Sequence, residues 1–242
     1  SSIHRFEKQV ALLDAHEEIG VCGSWATLIR EDNDGKDSVV GIAKKPSTHA
    51  DILDVFYKEN PFFHSSVMLR RSLLVGQGLY YDQDYYTSED YHLWYLLSAR
   101  TRLHIIEEPL LQYRLHPGNI SKTRNDLQTI NANRVRADIL SDQLQLNLSE
   151  EEKKSLYLFL SLKKIGQPDF GVIGKVVKSI TEAKLPRNKK KELLTFMKLR
   201  FIWYINTHQF GLSDAGLLRH SGVYKFGIKN VIKYAYKCIF RV

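Results

Sequence analysis

The sequence predicts a mixed α/β domain followed by an all-helical region, within a chain of 242 residues. Up to Lys122, helical and extended patterns alternate, as they do in a sheet that is covered by helices. Beyond Lys122 the pattern is helical almost throughout, and Pro168 and Pro186 fall between the predicted helices, where proline disturbs them least. We therefore predict two domains, residues 1–122 and residues 123–242.

The elements of the first domain follow from the spacing of its apolar residues. Phe6, Val10 and Leu13 recur at helical intervals, and the β-branched and aromatic residues from Ile19 onward are typical of a strand. The Asn-Asp-Gly sequence at 33–35 is a hairpin signal. In chain order we predict a helix at 4–17, strands at 19–30 and 38–43, a helix at 48–58, a strand at 65–70, helices at 71–75 and 88–99, and extended segments at 103–107 and 110–115.

The second domain is predicted to contain five helices, and the last of them is amphipathic. They are expected at residues 126–144, 149–164, 170–183, 189–207 and 223–240. In the last helix a Lys or Arg recurs every four residues from Lys225 to Arg241, beside an aromatic and aliphatic face. Helices that lie in a membrane interface have this pattern. A terminal helix that packs its apolar face on its neighbours has it too, so both interpretations stay open.

Charge is divided unequally along the chain, whose formal net charge is +8. Residues 1–122 contain 13 Lys and Arg against 17 Asp and Glu, whereas residues 123–242 contain 22 against 10. Such an asymmetry favours an anionic partner, for example a membrane surface. No helix-turn-helix signature, zinc-ligand spacing or RNA-binding motif accompanies the positive charge, so we predict no nucleic-acid partner.

The cysteines and the apolar runs indicate a cytoplasmic location. Cys22 and Cys238 have neither metal-ligand nor redox spacing, which predicts free thiols in a reducing compartment. The longest run without Asp, Glu, Lys or Arg is residues 201–213, shorter than the roughly 20 residues that span a bilayer. We predict a cytoplasmic protein, held peripherally on the inner face of the cell membrane if its terminal helix binds lipid.

An acidic pair at the start of a predicted helix is the first candidate for catalysis. Glu89 and Asp90 follow Thr87 and Ser88, just before an apolar stretch. A carboxylate there suits a general base, because the helix dipole stabilises its charged form and the helix holds it in place. The same sequence fits a capping box in which Thr87 is the N-cap and Asp90 replaces the usual Glu.

Five sequence blocks in fixed order resemble family 2 glycosyltransferases of the GT-A fold. They are HRFEKQVALL at 4–13, IGVCGSW at 19–25, NPFFHSSVMLRR at 60–71, the Glu-Asp pair at 89–90 and YRLHPGN at 113–119. The blocks match the second half of a GT-A domain. The resemblance therefore implies that the nucleotide-binding half, with its Asp-x-Asp metal motif, would precede Ser1.

The resemblance implies an activity and its cofactors. The expected reaction is inverting transfer of a sugar from a nucleotide-sugar donor to a cell-surface glycan or a lipid-linked acceptor. The complete enzyme would use a divalent metal, Mn or Mg, and none is expected to bind tightly to this chain alone. The alternative function is a non-catalytic module derived from this fold, associated with a membrane or serving as a scaffold.

The resemblance also implies roles for individual residues. Asp90 is expected to be the base, and Glu89 either to orient the acceptor or to hydrogen-bond the loop. His116 is expected either to ligate the metal or to be an ordinary loop histidine. The residues expected to bind substrate are Asn60, His64, Ser65, Ser66 and Arg114.

Several of these residues have structural interpretations as well. Arg114 would reach a phosphate or pair with Glu107 or Glu108. Trp25 and Trp94 are expected to form walls of the core rather than platforms for a sugar. An incomplete sheet should expose an edge or an apolar face, and a second copy could cover it, so we predict either a homodimer or an aggregation-prone monomer.

Overall fold

The computed structural model describes residues 1–32, 35–116, 125–161 and 166–207. They belong to two compact units, Ser1–Val135 and a second that begins at Arg136. The first unit contains a sheet with helices, and the described elements of the second are helices, so the mixed α/β fold class is confirmed. The helix predicted at 223–240 lies outside the described residues, and the domain boundary after Lys122 stays a prediction.

The sheet of the first unit is built around one long central strand. Its strands are β1 (Ile19–Glu31), β2 (Asp37–Ala43), β3 (Met68–Leu69) and β4 (Arg102–Arg114). β4 runs parallel to β1, whereas β2 and β3 run antiparallel to it. Val21 pairs with β3 and β4 at once, and Ala26 pairs with β2 and β4 at once. β2 and β3 therefore share one edge of β1, and β4 occupies the other.

Two strand predictions differ from the structure. The strand expected at 65–70 is reduced to Met68–Leu69, because His64–Ser66 form a 3₁₀ turn and only two residues pair with β1. The two extended segments expected at 103–115 form the single strand β4, whose register with β1 shifts between Ser24 and Ala26. Pro109 falls in the stretch without ladder partners, where its missing N–H costs no ladder hydrogen bond.

Within residues 1–32 and 35–116, four α-helices accompany the sheet. They are α1 (Arg5–Ala15), α2 (His49–Val55), α3 (Arg71–Val75) and α4 (Glu89–Ser98). Ile52 of α2 and Leu97 of α4 are fully buried, as is Phe56 just after α2, and Ile105 of β4 is almost fully buried. Burial of these large side chains is the main favourable term that holds α4 in place.

Apolar side chains remain exposed on two elements of this unit. Val39 and Ile42 are exposed on β2, an edge strand, and Phe6 and Val10 are exposed on one side of α1. This exposure agrees with the face expected of an incomplete sheet. Its cover by a second copy stays a prediction.

The second unit is formed by packed helices. α5 (Asn125–Gln143) runs into it from the first unit, and it continues with α6 (Glu150–Leu160), α7 (Phe170–Glu182) and α8 (Arg187–Thr207). A capping box between Ser149 and Glu152 starts α6. The Phe170 ring meets those of Phe201 and Tyr204 edge-on, with centroids 6.0 and 5.3 Å away. None of the helices that the structure describes has the length and apolar content to cross a bilayer.

Candidate active site

The turn that leads into α4 has an unusual backbone. Thr87 has φ +72°, a left-handed conformation that β-branched residues rarely adopt. Ser88 is the N-cap, and its side chain makes no capping hydrogen bond. The predicted capping box between Thr87 and Asp90 is therefore wrong, because α4 begins one residue later than that box requires. Asp90 is the second residue of α4 and is free for another role.

Polar contacts with the start of α5 hold this turn. The Ser88 hydroxyl donates to the Gln128 carbonyl at 3.2 Å, and the Gln128 amide donates to the Thr87 carbonyl at 3.3 Å. The Asn131 amide donates to the Tyr86 carbonyl at 2.8 Å. A strained backbone conformation persists only where surrounding contacts enforce it. The three hydrogen bonds to α5 enforce the conformation of Thr87, directly before the acidic pair.

Asp90 is the centre of a polar cluster. Its Oδ1 accepts a hydrogen bond from the backbone N–H of Tyr91 at 2.7 Å, and its Oδ2 accepts one from Asn60 Nδ2 at 3.0 Å. His64 Nδ1 lies 3.2 Å from the same Oδ2. We call Asn60, His64 and Asp90 the Asp90 cluster. The Asp90 side chain is 16% exposed, so the carboxylate is held firmly yet remains accessible.

The loop that supplies Asn60 and His64 is anchored to the core at several points. The Asn60 side-chain oxygen accepts the N–H of Phe62 at 3.1 Å, which fixes its amide toward Asp90. Phe62 is buried against Gly23 of β1, where a Cβ would lie 2.7 Å from the phenylalanine ring. The buried Gln9 of α1 donates to the Ser66 carbonyl at 2.8 Å. The cluster thus rests on β1, α1 and α4 together.

Aromatic rings surround His64. Tyr81 stacks on the imidazole with centroids 5.9 Å apart, and Trp94 lies 6.3 Å from it by the same measure. Trp94 is 1% exposed and is a wall of the core, as predicted, whereas Tyr81 is 44% exposed. Sequence reasoning missed Tyr81 as a site residue. The sequence signal that could have found Tyr81 is the Gly-Gln-Gly segment at 76–78, which ends three residues before it.

The electrostatics of the site follow from the two carboxylates. The hydrogen bond that His64 donates to the Asp90 carboxylate raises the pKa of His64, since it favours the imidazolium. Burial raises the pKa of Tyr81, and the nearby charges of Asp90 and Glu89 raise it further, so its hydroxyl stays a proton donor. Oε2 of Glu89 is buried and has no hydrogen-bond partner among the described residues. This oxygen is an unsatisfied acceptor that solvent does not reach.

The remaining predicted site residues, Ser65, Ser66 and Arg114, have hydrogen-bond partners outside the Asp90 cluster. Ser65 is exposed and its carbonyl accepts from Arg5. Ser66 is fully buried, and its hydroxyl donates to the Phe63 carbonyl at 2.8 Å. The expectation that Ser66 binds substrate is therefore corrected, because its hydroxyl serves the turn. Arg114 of β4 forms a bidentate surface pair with Asp37 of β2, so the expected ion pairing is present with Asp37 as the partner in place of Glu107 or Glu108.

Comparison with known proteins bears on this site. No protein-family model and no solved structure matches the chain. Over 147 residues the chain is 26% identical to the amylovoran biosynthesis glycosyltransferase AmsE of Erwinia amylovora, a match that covers 60% of this chain and 50% of AmsE. The chain is a distant relative of a glycosyltransferase. It spans about half the length of that relative.

The resemblance implies a divalent metal in the complete enzyme and none bound tightly to this chain alone, and both stay predictions. Within residues 1–32, 35–116, 125–161 and 166–207, no three His, Cys, Asp or Glu side chains gather in a way that would hold an ion. His116 is exposed at the end of its described segment. One imidazole without carboxylate partners is a poor ligand set for Mn²⁺ or Mg²⁺. The described residues therefore do not fit the metal, and no role assigned below depends on it.

The raised pKa of His64 makes a pH-dependent contribution to stability. A histidine whose pKa is raised in the folded state stabilises the fold to its full extent below the ordinary histidine pKa of about 6.5. This stabilisation of the fold is lost as the pH rises through the raised pKa. We expect His64→Gln to lower the free energy of unfolding by at most about 1 kcal/mol at pH 6, because the side chain is half exposed, and by less at pH 9. Urea unfolding at several pH values measures this difference.

The matched control for this prediction removes the partner of His64. On an Asp90→Asn background, the effect of His64→Gln should differ less between pH 6 and pH 9, because the hydrogen-bonded carboxylate is gone and only the nearby charge of Glu89 still favours the imidazolium. A pH-independent effect of His64→Gln in the otherwise unchanged chain would contradict the ion pair.

Proposed function

We propose that this chain is part of an inverting family 2 glycosyltransferase of the GT-A fold. Its donor would be a nucleotide sugar, and its acceptor a cell-surface glycan or a lipid-linked intermediate. The proposal is carried by the Asp90 cluster, a rigidly held and accessible carboxylate at a helix start. The similarity to AmsE, which is named for amylovoran biosynthesis, supports a sugar-transfer reaction.

In the proposed reaction Asp90 is the general base. The acceptor hydroxyl attacks the anomeric carbon, a new C–O bond forms, and the bond from that carbon to the nucleotide diphosphate breaks. The acceptor proton passes to a carboxylate oxygen of Asp90. Each carboxylate oxygen can accept about two hydrogen bonds, and Oδ1 accepts only one from the described residues, so it can also receive the acceptor hydroxyl.

The neighbours of Asp90 have proposed roles in orientation. Asn60 fixes the plane of the carboxylate, because its amide is itself held by the N–H of Phe62. Glu89, which is partly exposed, orients a second hydroxyl of the acceptor through its other carboxylate oxygen, since its Oε2 is buried. Tyr81 and His64 present aromatic faces on which a sugar ring can stack. Full-length enzyme carrying Asp90→Asn tests the central assignment.

The donor side leads to a separate prediction. We expect residues 1–242 by themselves to show no tight binding of Mn²⁺ or of uridine, guanosine or thymidine diphosphate sugars in calorimetric titrations. The reason is that His116 belongs, among the described residues, to no group of His, Cys, Asp and Glu side chains that would make a divalent cation leave water. Micromolar binding of any of these sugars would contradict the prediction and locate a donor site within this chain.

A further inference from the structure

The helical unit contains a groove that the proposed sugar transfer does not use. It lies between α7 and α8 and has a volume of about 480 Å³. Four cationic side chains line it, and two apolar residues from facing helices lie among them. The cations are Arg187, Lys190, Lys191 and Lys198, and the apolar residues are Val177 and Leu194.

The sequence of α8 explains why the cations gather there. Arg187, Lys190, Lys191, Leu194 and Lys198 are separated by steps of one, three or four residues, which places them along one side of a helix. α7 contributes Val177 and Thr181 from the opposite wall. The groove is therefore a feature of two packed helices and does not depend on a loop.

One of the cations is fixed in position by the wall itself. Lys190 Nζ donates to the Thr181 carbonyl in the last turn of α7 at 3.0 Å. Lys191 and Lys198 are exposed, and their ammonium groups can turn toward a ligand. Each ammonium carries three hydrogen-bond donors and the guanidinium of Arg187 carries five, so the groove is rich in donors.

No residue that lines the groove neutralises the positive charge of its four cations. None of the residues that line it is acidic. Glu182, in the last turn of α7, already lies 3.9 Å from Lys178, which does not line the groove. Four positive charges around one concave surface attract an anion, and the volume is within the range of small-ligand sites.

We propose that this groove binds the phosphate head group of an anionic lipid. The phosphate oxygens would lie among Lys190, Lys191 and Lys198, and the first part of the hydrocarbon would cover the partly exposed Leu194 beside the buried Val177. The apolar floor is the reason for a lipid, because a soluble phosphate would contact only the cations. This inference is independent of the proposed sugar transfer, since it uses no residue of the Asp90 cluster.

The test compares two double variants of the full chain by co-sedimentation with vesicles. The vesicles contain phosphatidylcholine alone or phosphatidylcholine with phosphatidic acid. Lys191→Gln with Lys198→Gln should weaken binding to the phosphatidic acid vesicles about 25-fold, since each cation near an anionic surface contributes roughly fivefold. The matched control is Lys36→Gln with Lys154→Gln, which removes the same charge from exposed positions outside the groove. We expect it to weaken binding less than about threefold.

Two outcomes would overturn the proposal. Equal losses in the two double variants would mean that overall charge, and not the groove, attracts the membrane. Calorimetric titration with inorganic phosphate distinguishes a lipid head group from a soluble phosphate as the ligand of the groove. If the groove variant lost phosphate binding while its vesicle binding stayed unchanged, the groove would be a site for a soluble phosphate. Circular dichroism verifies that all variants retain their helices.

Discussion

Replacing Asp90 by Asn in the full-length enzyme should lower the turnover of sugar transfer by roughly 10²- to 10⁴-fold. The amide has nearly the shape of the carboxylate, and its oxygen can still accept the N–H of Tyr91. It cannot take up the proton of the acceptor hydroxyl, so the loss belongs to the chemical step. Initial rates with saturating donor and acceptor measure turnover, and urea unfolding verifies that the variant is folded.

The kinetic pattern separates a base from a merely structural residue. Loss of a base lowers kcat and kcat/KM together, whereas loss of a binding contact raises KM with kcat unchanged. Glu89→Gln is the matched control, because it removes the adjacent charge of the same helix turn. We expect it to cost less turnover than Asp90→Asn. Near-normal turnover by Asp90→Asn would reject the assignment of the base.

Local patterns were sufficient to predict most elements of the first unit. α3 was predicted with its observed bounds at 71–75, and β1 was predicted to within one residue, because apolar spacing and β-branched residues mark both. The segment before β3 misled the prediction, since His64–Ser66 has the composition of an extended segment. It turns because the Ser66 hydroxyl and N–H both bond to the Phe63 carbonyl.

Only part of the candidate site was predicted from the sequence, because the rest depends on packing between distant parts of the chain. Asn60, His64 and Asp90 were selected by resemblance, and the structure brings them within hydrogen-bond distance although 30 residues separate Asn60 from Asp90. The small residue Gly23 makes this approach possible by admitting Phe62, and no local pattern reports that packing. The burial of Ser66 depends in the same way on distant parts of the chain.

Backbone conformation was the second kind of information that the sequence lacked. A Thr before Ser-Glu-Asp reads as an N-cap by composition, yet Thr87 adopts φ +72° and the cap moves to Ser88. The bonds from Gln128 and Asn131 enforce that turn from about 40 residues away. The shift of the N-cap to Ser88 matters because the Asp90 carboxylate then accepts hydrogen bonds from Asn60 and His64 and takes no part in a capping box.

Replacing Trp94 by Ala should lower the free energy of unfolding by about 3–5 kcal/mol, the largest stability effect expected in this site. Trp94 is 1% exposed, and its ring lies 6.0 Å from Phe62 and 6.3 Å from His64 between centroids. Truncation would leave a cavity between α4 and the loop that supplies Asn60. Urea unfolding of the variant measures the loss.

Two further variants locate the cause of that loss. Trp94→Phe should cost only about 1–2 kcal/mol, because it keeps an aromatic ring and Trp94 Nε1 has no hydrogen-bond partner among the described residues. Tyr81→Ala, at a ring that is 44% exposed and also 6.3 Å from Trp94, should cost less than about 1 kcal/mol. A loss below about 1 kcal/mol for Trp94→Ala would mean that the Asp90 cluster is supported by something other than this packing.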